Sequence, residues 1–329
     1  MRRVLARISP VLRLTRITAA FAAVSNVWFV VLWSRTVPGE DPGALAAQPL
    51  WILLLGGTAS AVGLYAFGAA LNDILDLRRD RRLRPERPLA SGSLGVEAAI
   101  WIVAVTLLLA VLGATPFGTA GVVTTIVVAA AVLGFNAAAR FVPGVGIVLL
   151  GLIYAGQMLV PNVHMRFLVP VLLVMTHTLV VAGLAYATAK KVPRLTPRAT
   201  FAAVVGWVSW CAVLLGLGWW RSASGDAGRS LWPAWVDGAA GIVPAALLVG
   251  FLVFLSAKLK SIGQGPRAAE KIWRHGSLWL PFYGCAWMLG AGHGGAALAL
   301  GGLAIIGVVG ATVLRELYGL LEQPVGFRV

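Results

Sequence analysis

Asn72, Asp73, Asp76 and Asp80 place four hard oxygen donors within nine residues, in a chain that has only twelve carboxylates. On a helix Asn72, Asp76 and Asp80 follow one another at i, i+4, and Asp73 lies three residues before Asp76, so all four side chains share a face. Carboxylates gathered in this way repel one another unless a cation joins them. Oxygen donors at this spacing suit Mg2+, which keeps several waters and is completed by substrate phosphates. A plainer arrangement would pair the acids with Arg78, Arg79, Arg81 and Arg82 as a solvated helix end. Acids on one face at a membrane boundary are costly, however, and that cost favours a functional reading in which all four residues are candidate catalytic and metal-binding groups.

The segment Arg84-Pro85-Glu86-Arg87-Pro88-Leu89-Ala90-Ser91-Gly92 comes next. Its two prolines exclude regular helix and predict an extended chain that displays Arg84 and Arg87 at fixed spacing. Guanidinium groups bind phosphate oxygens bidentately. A Mg2+-binding helix followed by an arginine loop is therefore suited to a diphosphate.

The elements that hold these residues are set by hydropathy. The chain has 329 residues, 59% hydrophobic and 12% charged, a composition that a water-soluble globule could not bury. A membrane-crossing helix takes roughly 20 apolar residues. Ten stretches qualify, at about 17–34, 50–74, 98–114, 118–138, 143–161, 167–188, 201–219, 238–256, 276–291 and 295–314. The ninth is short and contains Pro281, which leaves nine spans with a broken terminal hairpin as an alternative. No alternating strand pattern competes, so the expected fold is all-α, a polytopic membrane bundle of nine to ten helices forming one domain over residues 1–329. Gly56-Gly57 and Gly144-x-Gly146 are expected at close helix contacts.

With the amino terminus inside, 23 of the 27 basic residues fall on inner segments. The positive-inside rule then puts both termini and the acidic and arginine-rich segments on the cytoplasmic side, in a bacterial inner membrane. The formal charge of +15 is accounted for by these loops and by anionic headgroups and ligands, without nucleic acid. Cys211 and Cys285 lie in apolar stretches and read as core residues.

From Asn72 to Gly92 the sequence resembles the UbiA superfamily of intramembrane prenyltransferases, whose first motif is an Asn-Asp-x-x-Asp-x-x-x-Asp run followed by an arginine-proline segment. The resemblance implies a Mg2+-dependent transferase that moves an isoprenoid from a polyprenyl diphosphate to a lipophilic or aromatic acceptor. Arg16, Asn26 and Arg140 also sit where that family places polar residues, and Asn136 stands one helical turn before Arg140. Arg140 joins Arg84 and Arg87 as an expected diphosphate ligand, whereas Arg16, Asn26 and Asn136 are expected along the acceptor pocket.

A second acidic motif, usual in that family at the inner end of the sixth span, is missing. Ala185 and Ala189 occupy the aspartate positions and are followed by Lys190, Lys191 and Arg194. Either these cations neutralise the diphosphate directly, or ionising power has been lost and a lipid-phosphate pocket remains. A subgroup of UbiA-like proteins from secondary-metabolite gene clusters is similar in both respects, which implies a non-catalytic alternative: an isoprenoid-binding or accessory protein of a biosynthetic or export pathway. His177, near the middle of the sixth span, reads either as an acceptor-positioning base or as a hydrogen-bonded structural histidine.

Overall fold

The computed structural model describes residues 2–16, 20–189, 193–222 and 228–322, and among them it has helices and turns but no strand. A short helix, α1 (Arg2–Thr15), precedes α2 (Phe21–Thr36). Then come α3 (Leu50–Leu75), the seven-residue α4 (Leu77–Leu83), α5 (Val96–Gly113), α6 (Gly118–Ala137) and α7 (Pro143–Met158). The chain continues through α8 (Val169–Ala189), α9 (Pro197–Arg221), α10 (Ile242–Ile262), α11 (Pro266–Gly290) and α12 (Gly294–Glu322). Each of the ten apolar stretches coincides with one long helix. Among the described residues five segments are long and apolar enough on their own to cross a bilayer, and one of them, Val96–Ala137, is folded by the 3-10 turn Thr115–Phe117 into α5 and α6.

Their boundaries follow from local chemistry. Proline stands in the first turn of α7, α9 and α11, where a missing N–H costs nothing. Thr196 caps α9 by accepting from the Ala199 amide. Pro281 does not break the ninth span, and α11 runs through it without interruption. Carbonyls near the proline find donors on other helices: Pro281 O accepts from Ser25 Oγ at 3.4 Å, and Gly276 O lies 3.0 Å from His177 Nε2. These contacts tie the middle of α11 to α2 and α8 around the proline.

Helices α2 and α11 lie at the centre, α2 against α3, α7, α11 and α12, and α11 against α2, α8, α10 and α12. One core cluster gathers Phe29 and Trp33 of α2 with Phe167 and with Trp287 of α11, and a second joins α3, α5, α6 and α7 around Leu53, Leu64, Phe117 and Val132. The tightest crossing is α3 on α5, where a Cβ at Gly63 would stand 2.6 Å from Ala110 N and one at Gly113 only 2.4 Å from Ser60 N. Gly56 and Gly144 play the expected part, at 2.7 Å from Gly113 O and Ala199 O respectively. Large apolar side chains such as Leu55, Trp101, Val127, Phe201 and Ile305 face outward, as a lipid-covered surface requires. The protein is a multi-pass integral membrane protein.

Candidate active site at one mouth of the bundle

The acidic face forms where α3 gives way to α4. Asp76 is the junction residue, yet the helical hydrogen bonds carry through it, from Asp76 N to Asn72 O at 2.9 Å and from Asp80 N to Asp76 O at 2.8 Å. The i, i+4 alignment of Asn72, Asp76 and Asp80 therefore survives the change of helix. It also sorts α4 by side: Asp80 turns inward and is buried, while Arg78, Arg79, Arg81 and Arg82 are exposed.

The acids do not pair with those neighbouring arginines. Their partners come from three other places in the chain. Asp73, only 5% exposed, gathers three donors on Oδ1, namely Arg16 Nη2 at 2.7 Å, Arg87 Nη1 at 3.1 Å and Asn72 Nδ2 at 3.3 Å. The same Arg87 nitrogen donates to Asp80 Oδ2 at 2.5 Å. Arg140, from the 3-10 turn between α6 and α7, grips Asp76 with both terminal nitrogens, at 2.7 Å to Oδ1 and 3.0 Å to Oδ2, and reaches Asn72 Oδ1 at 2.6 Å. Its Nε is buried and has no acceptor. Three aspartates thus meet three arginines, and Asn72 bridges the two halves by donating to Asp73 and accepting from Arg140.

The arginines are held by their own elements. Arg16 follows the last turn of α1 with φ +48°, a left-handed backbone that costs a non-glycine residue of order 1 kcal/mol. Arg87 sits in the arginine-proline segment, which is not extended as its prolines predict. The chain folds into successive turns instead, closed by Arg87 N to Arg84 O at 3.1 Å, Ser91 N to Arg87 O at 2.8 Å and Leu94 N to Pro88 O at 3.1 Å. Proline presets φ for the second position of such turns, and Pro85 takes that place. The turn leaves Arg84 exposed with no ion pair to the acids and points Arg87 inward.

The rim includes one contact that the sequence reading missed. Arg13 Nη2 of α1 donates to Glu86 O at 3.2 Å, and Leu14 is buried with Ala70, Leu89 and Ala99. Helix α1 therefore lies on the arginine-proline loop and does more than set topology. The recurrence of Leu5, Ile8 and Leu12 at helical spacing among arginines is the signal that could have found it.

Other expected residues lie away from this cluster. Arg194 is exposed and pairs with none of the acids, and Lys190 and Lys191 lie outside the described residues. Asn136 is buried and donates to Val132 O of its own helix at 3.0 Å, and Asn26 is buried within α2. His177 has both ring nitrogens engaged, Nδ1 with Tyr283 OH at 3.1 Å and Nε2 with Gly276 O at 3.0 Å. A carbonyl only accepts, so Nε2 carries the proton and Nδ1 accepts from the tyrosine. Ala185 packs into an apolar cluster with Val181, Phe251, Leu255, Ala269 and Ile272, and Ala189 lies against the same cluster.

Among the described residues no three His, Cys, Asp or Glu side chains surround one point. Rather than a single four-residue shell, the oxygens form two cradles, Asp73 with Asp80 and Asn72 with Asp76, each already turned toward a positive group. This fits Mg2+, which takes one or two carboxylates and fills its shell with phosphate oxygens and water.

Fold and site together define a polytopic helical membrane protein with an acid–arginine cluster at one mouth of the bundle. No family model matches the sequence, and no curated protein matches it either. Solved structures do match. A digeranylgeranylglyceryl phosphate synthase aligns with a TM-score of 0.55 at 17% identity, over 87% of this chain and 98% of that one. A UbiA homologue from Archaeoglobus fulgidus, bound to GPP and Mg2+, aligns with a TM-score of 0.50 at 14% identity, over 85% of this chain and 99% of its own. The chain has the fold of the UbiA-type membrane prenyltransferases.

Proposed function

We propose that this chain binds a polyprenyl diphosphate at the mouth formed by α3, α4 and the arginine-proline loop, and transfers the isoprenoid to a lipophilic or aromatic acceptor. The observation that carries this reading is the junction of Asn72, Asp73, Asp76 and Asp80 with Arg16, Arg87 and Arg140 on a fold whose solved neighbour binds GPP and Mg2+. Asn72 with Asp76, and Asp73 with Asp80, are the residues that would hold Mg2+, which supplies positive charge to the diphosphate oxygens. Arg87 and Arg140 neutralise the same oxygens as charge grows on the leaving group, an electrostatic contribution preorganised by their elements. The bond between the prenyl C1 and its oxygen breaks with the electron pair staying on diphosphate. A lone pair of the acceptor then forms the new bond to C1, and the acceptor proton leaves to water. The apolar bundle keeps water from the allylic cation. Lys190, Lys191, Arg84 and Arg194 supply outer positive charge that draws in the anionic head group, and Asn26, Asn136 and His177 line the path of the acceptor. We take the mouth to face the cytoplasm of a bacterial inner membrane, and the chain to form one domain.

A second reading is favoured by one observation. The inner end of α8 carries no carboxylate, and Ala185 there is buried in apolar packing. On this reading the protein keeps the diphosphate pocket as an isoprenoid-binding accessory of a membrane pathway. Both are tested by incubating the purified protein in detergent with labelled geranyl, farnesyl and longer diphosphates, with and without Mg2+. Transfer predicts Mg2+-dependent diphosphate release that Asp76→Asn abolishes. Binding without release, whatever acceptor is supplied, overturns transfer and leaves the accessory reading.

A further inference from the structure

The acidic face is electrically balanced by the chain's own arginines. Arg16, Arg87 and Arg140 stand one for one against Asp73, Asp76 and Asp80, at nitrogen–oxygen distances between 2.5 and 3.1 Å. Mg2+ binds oxygen at about 2.0–2.1 Å and demands near-octahedral geometry. An ion at either cradle would use oxygens that a guanidinium now holds, and its charge would lie beside an arginine of the same sign. A bare divalent cation therefore gains little here.

We propose that Arg87 and Arg140 are exchangeable counterions, holding the acidic face against a bare divalent cation in the free protein and passing to the oxygens of an arriving diphosphate, so that metal and diphosphate enter together. The proposal rests on the reading that this mouth binds a diphosphate. It adds that the arginines compete with the metal for the acids before they cooperate with it.

Two further observations distinguish an exchangeable pair from a fixed one. Arg140 has a buried Nε–H with no acceptor, a donor whose cost is relieved once an oxygen comes within reach. Arg87 divides one Nη1 between two carboxylates, leaving its other nitrogens free of them. Both side chains are partly open, at 17% for Arg87 and 16% for Arg140, so an incoming anion can reach them. Arg16 is more open still, at 41%, and holds Asp73 through one nitrogen at 2.7 Å; in this scheme it keeps that acid neutralised while the other two arginines move.

The test is calorimetry on the full chain in detergent micelles, with MgCl2 alone, inorganic pyrophosphate in EDTA, and preformed magnesium pyrophosphate as probes. The wild type should give no saturable heat with millimolar MgCl2, and should bind magnesium pyrophosphate at least tenfold more tightly than pyrophosphate alone. Arg140→Gln should bind MgCl2 alone about tenfold more tightly than wild type while binding pyrophosphate less tightly. Arg87→Gln should likewise tighten MgCl2 binding and weaken pyrophosphate binding, and serves where Arg140→Gln does not fold. A merely structural role would weaken both ligands or neither, and that result overturns the proposal. So does saturable binding of MgCl2 by the wild type that removal of either arginine fails to improve. If the wild type binds pyrophosphate neither in EDTA nor together with Mg2+, the diphosphate reading itself falls, an outcome separable from failure of the exchange.

Discussion

Replacing Asp76 by asparagine removes one charge from the pair that Arg140 holds with two hydrogen bonds, at 2.7 and 3.0 Å. Both side chains are 16% exposed, so the pair is mostly desolvated without being sealed. Two unit charges about 4 Å apart interact by roughly 4 kcal/mol at an effective dielectric near 20. Stranding one partner of a fully buried pair costs about 3–5 kcal/mol. Residual solvent access and the remaining amide oxygen, which still accepts from Arg140, reduce the expected cost of Asp76→Asn to about 2–3 kcal/mol. Arg140→Gln should cost a similar amount, because it also takes the donor from Asn72 Oδ1. The double variant has no stranded charge, so it should be more stable than the sum of the singles predicts, with a coupling of about 2 kcal/mol. Thermal unfolding of the four proteins in one detergent measures this. At roughly 2 °C per kcal/mol for a chain of this size, each single variant should lose about 5 °C and the double clearly less than 10 °C. Shifts that simply add would refute the argument, since they would mean that the two groups do not feel each other's charge.

Three other outcomes follow from separate parts of the structure. A methyl group at Gly113 would meet Ser60 N at 2.4 Å, so Gly113→Ala should push α5 from α3 and lower stability by about 1–3 kcal/mol, read as a fall in Tm. Glu40, in the loop after α2, is buried and accepts from Trp33 Nε1 and from the amides of Asp41, Arg166 and Phe167. Burial pushes its carboxyl above the usual 4.5, against the pull of those four donors. The folded state therefore binds this proton more tightly than the unfolded one, and the stability so gained is full below about pH 4.5 and is lost as pH rises through the folded value. The Tm of wild type minus that of Glu40→Gln should fall as pH rises from 4.5, and a rise would contradict the assignment. His177→Phe leaves Tyr283 OH without its partner and should cost about 1–3 kcal/mol. If turnover with an acceptor falls far more than stability does, His177 acts on the acceptor as well.

The bundle was legible because apolar length marks a membrane helix, and each of the ten stretches overlaps one of α2, α3 and α5 to α12, although α11 begins at Pro266 and α12 runs to Glu322, well outside the expected 276–291 and 295–314. Pro281 was the exception. The helix there is tied to Ser25 and His177, which lie 256 and 99 residues from the carbonyls they reach and leave no local trace. The acids were legible as a helical face for the same periodic reason. Their partners were not, since Arg16 and Arg140 lie 57 and 64 residues from Asp73 and Asp76. Charge proximity in sequence pointed to Arg78, Arg79, Arg81 and Arg82, and helix geometry turned those outward. Arg84 and Arg87 share a residue type and a loop, so only the direction of the turn around Pro85 separates them.

The inner end of α8 raises a different question, because the absence of acids there is accompanied by apolar packing. Ala185 is 1% exposed and touches side chains of α10 and α11, and Ala189 lies beside the same cluster. Had only two carboxylates been lost from an otherwise unchanged site, restoring one should restore metal affinity. Packing predicts the opposite. Ala185→Asp would place a larger, charged side chain among the apolar Val181, Phe251, Leu255 and Ile272. An unpaired buried carboxylate costs several kcal/mol. The variant should therefore unfold well below wild type, and Mg2+ with pyrophosphate should not recover the loss. A Tm that Mg2+ raises in Ala185→Asp and not in wild type would show that α8 still faces the mouth. Without such a rise, the charge that the described residues set against Asp73, Asp76 and Asp80 is that of Arg16, Arg87 and Arg140, the arginines the acids themselves hold in place.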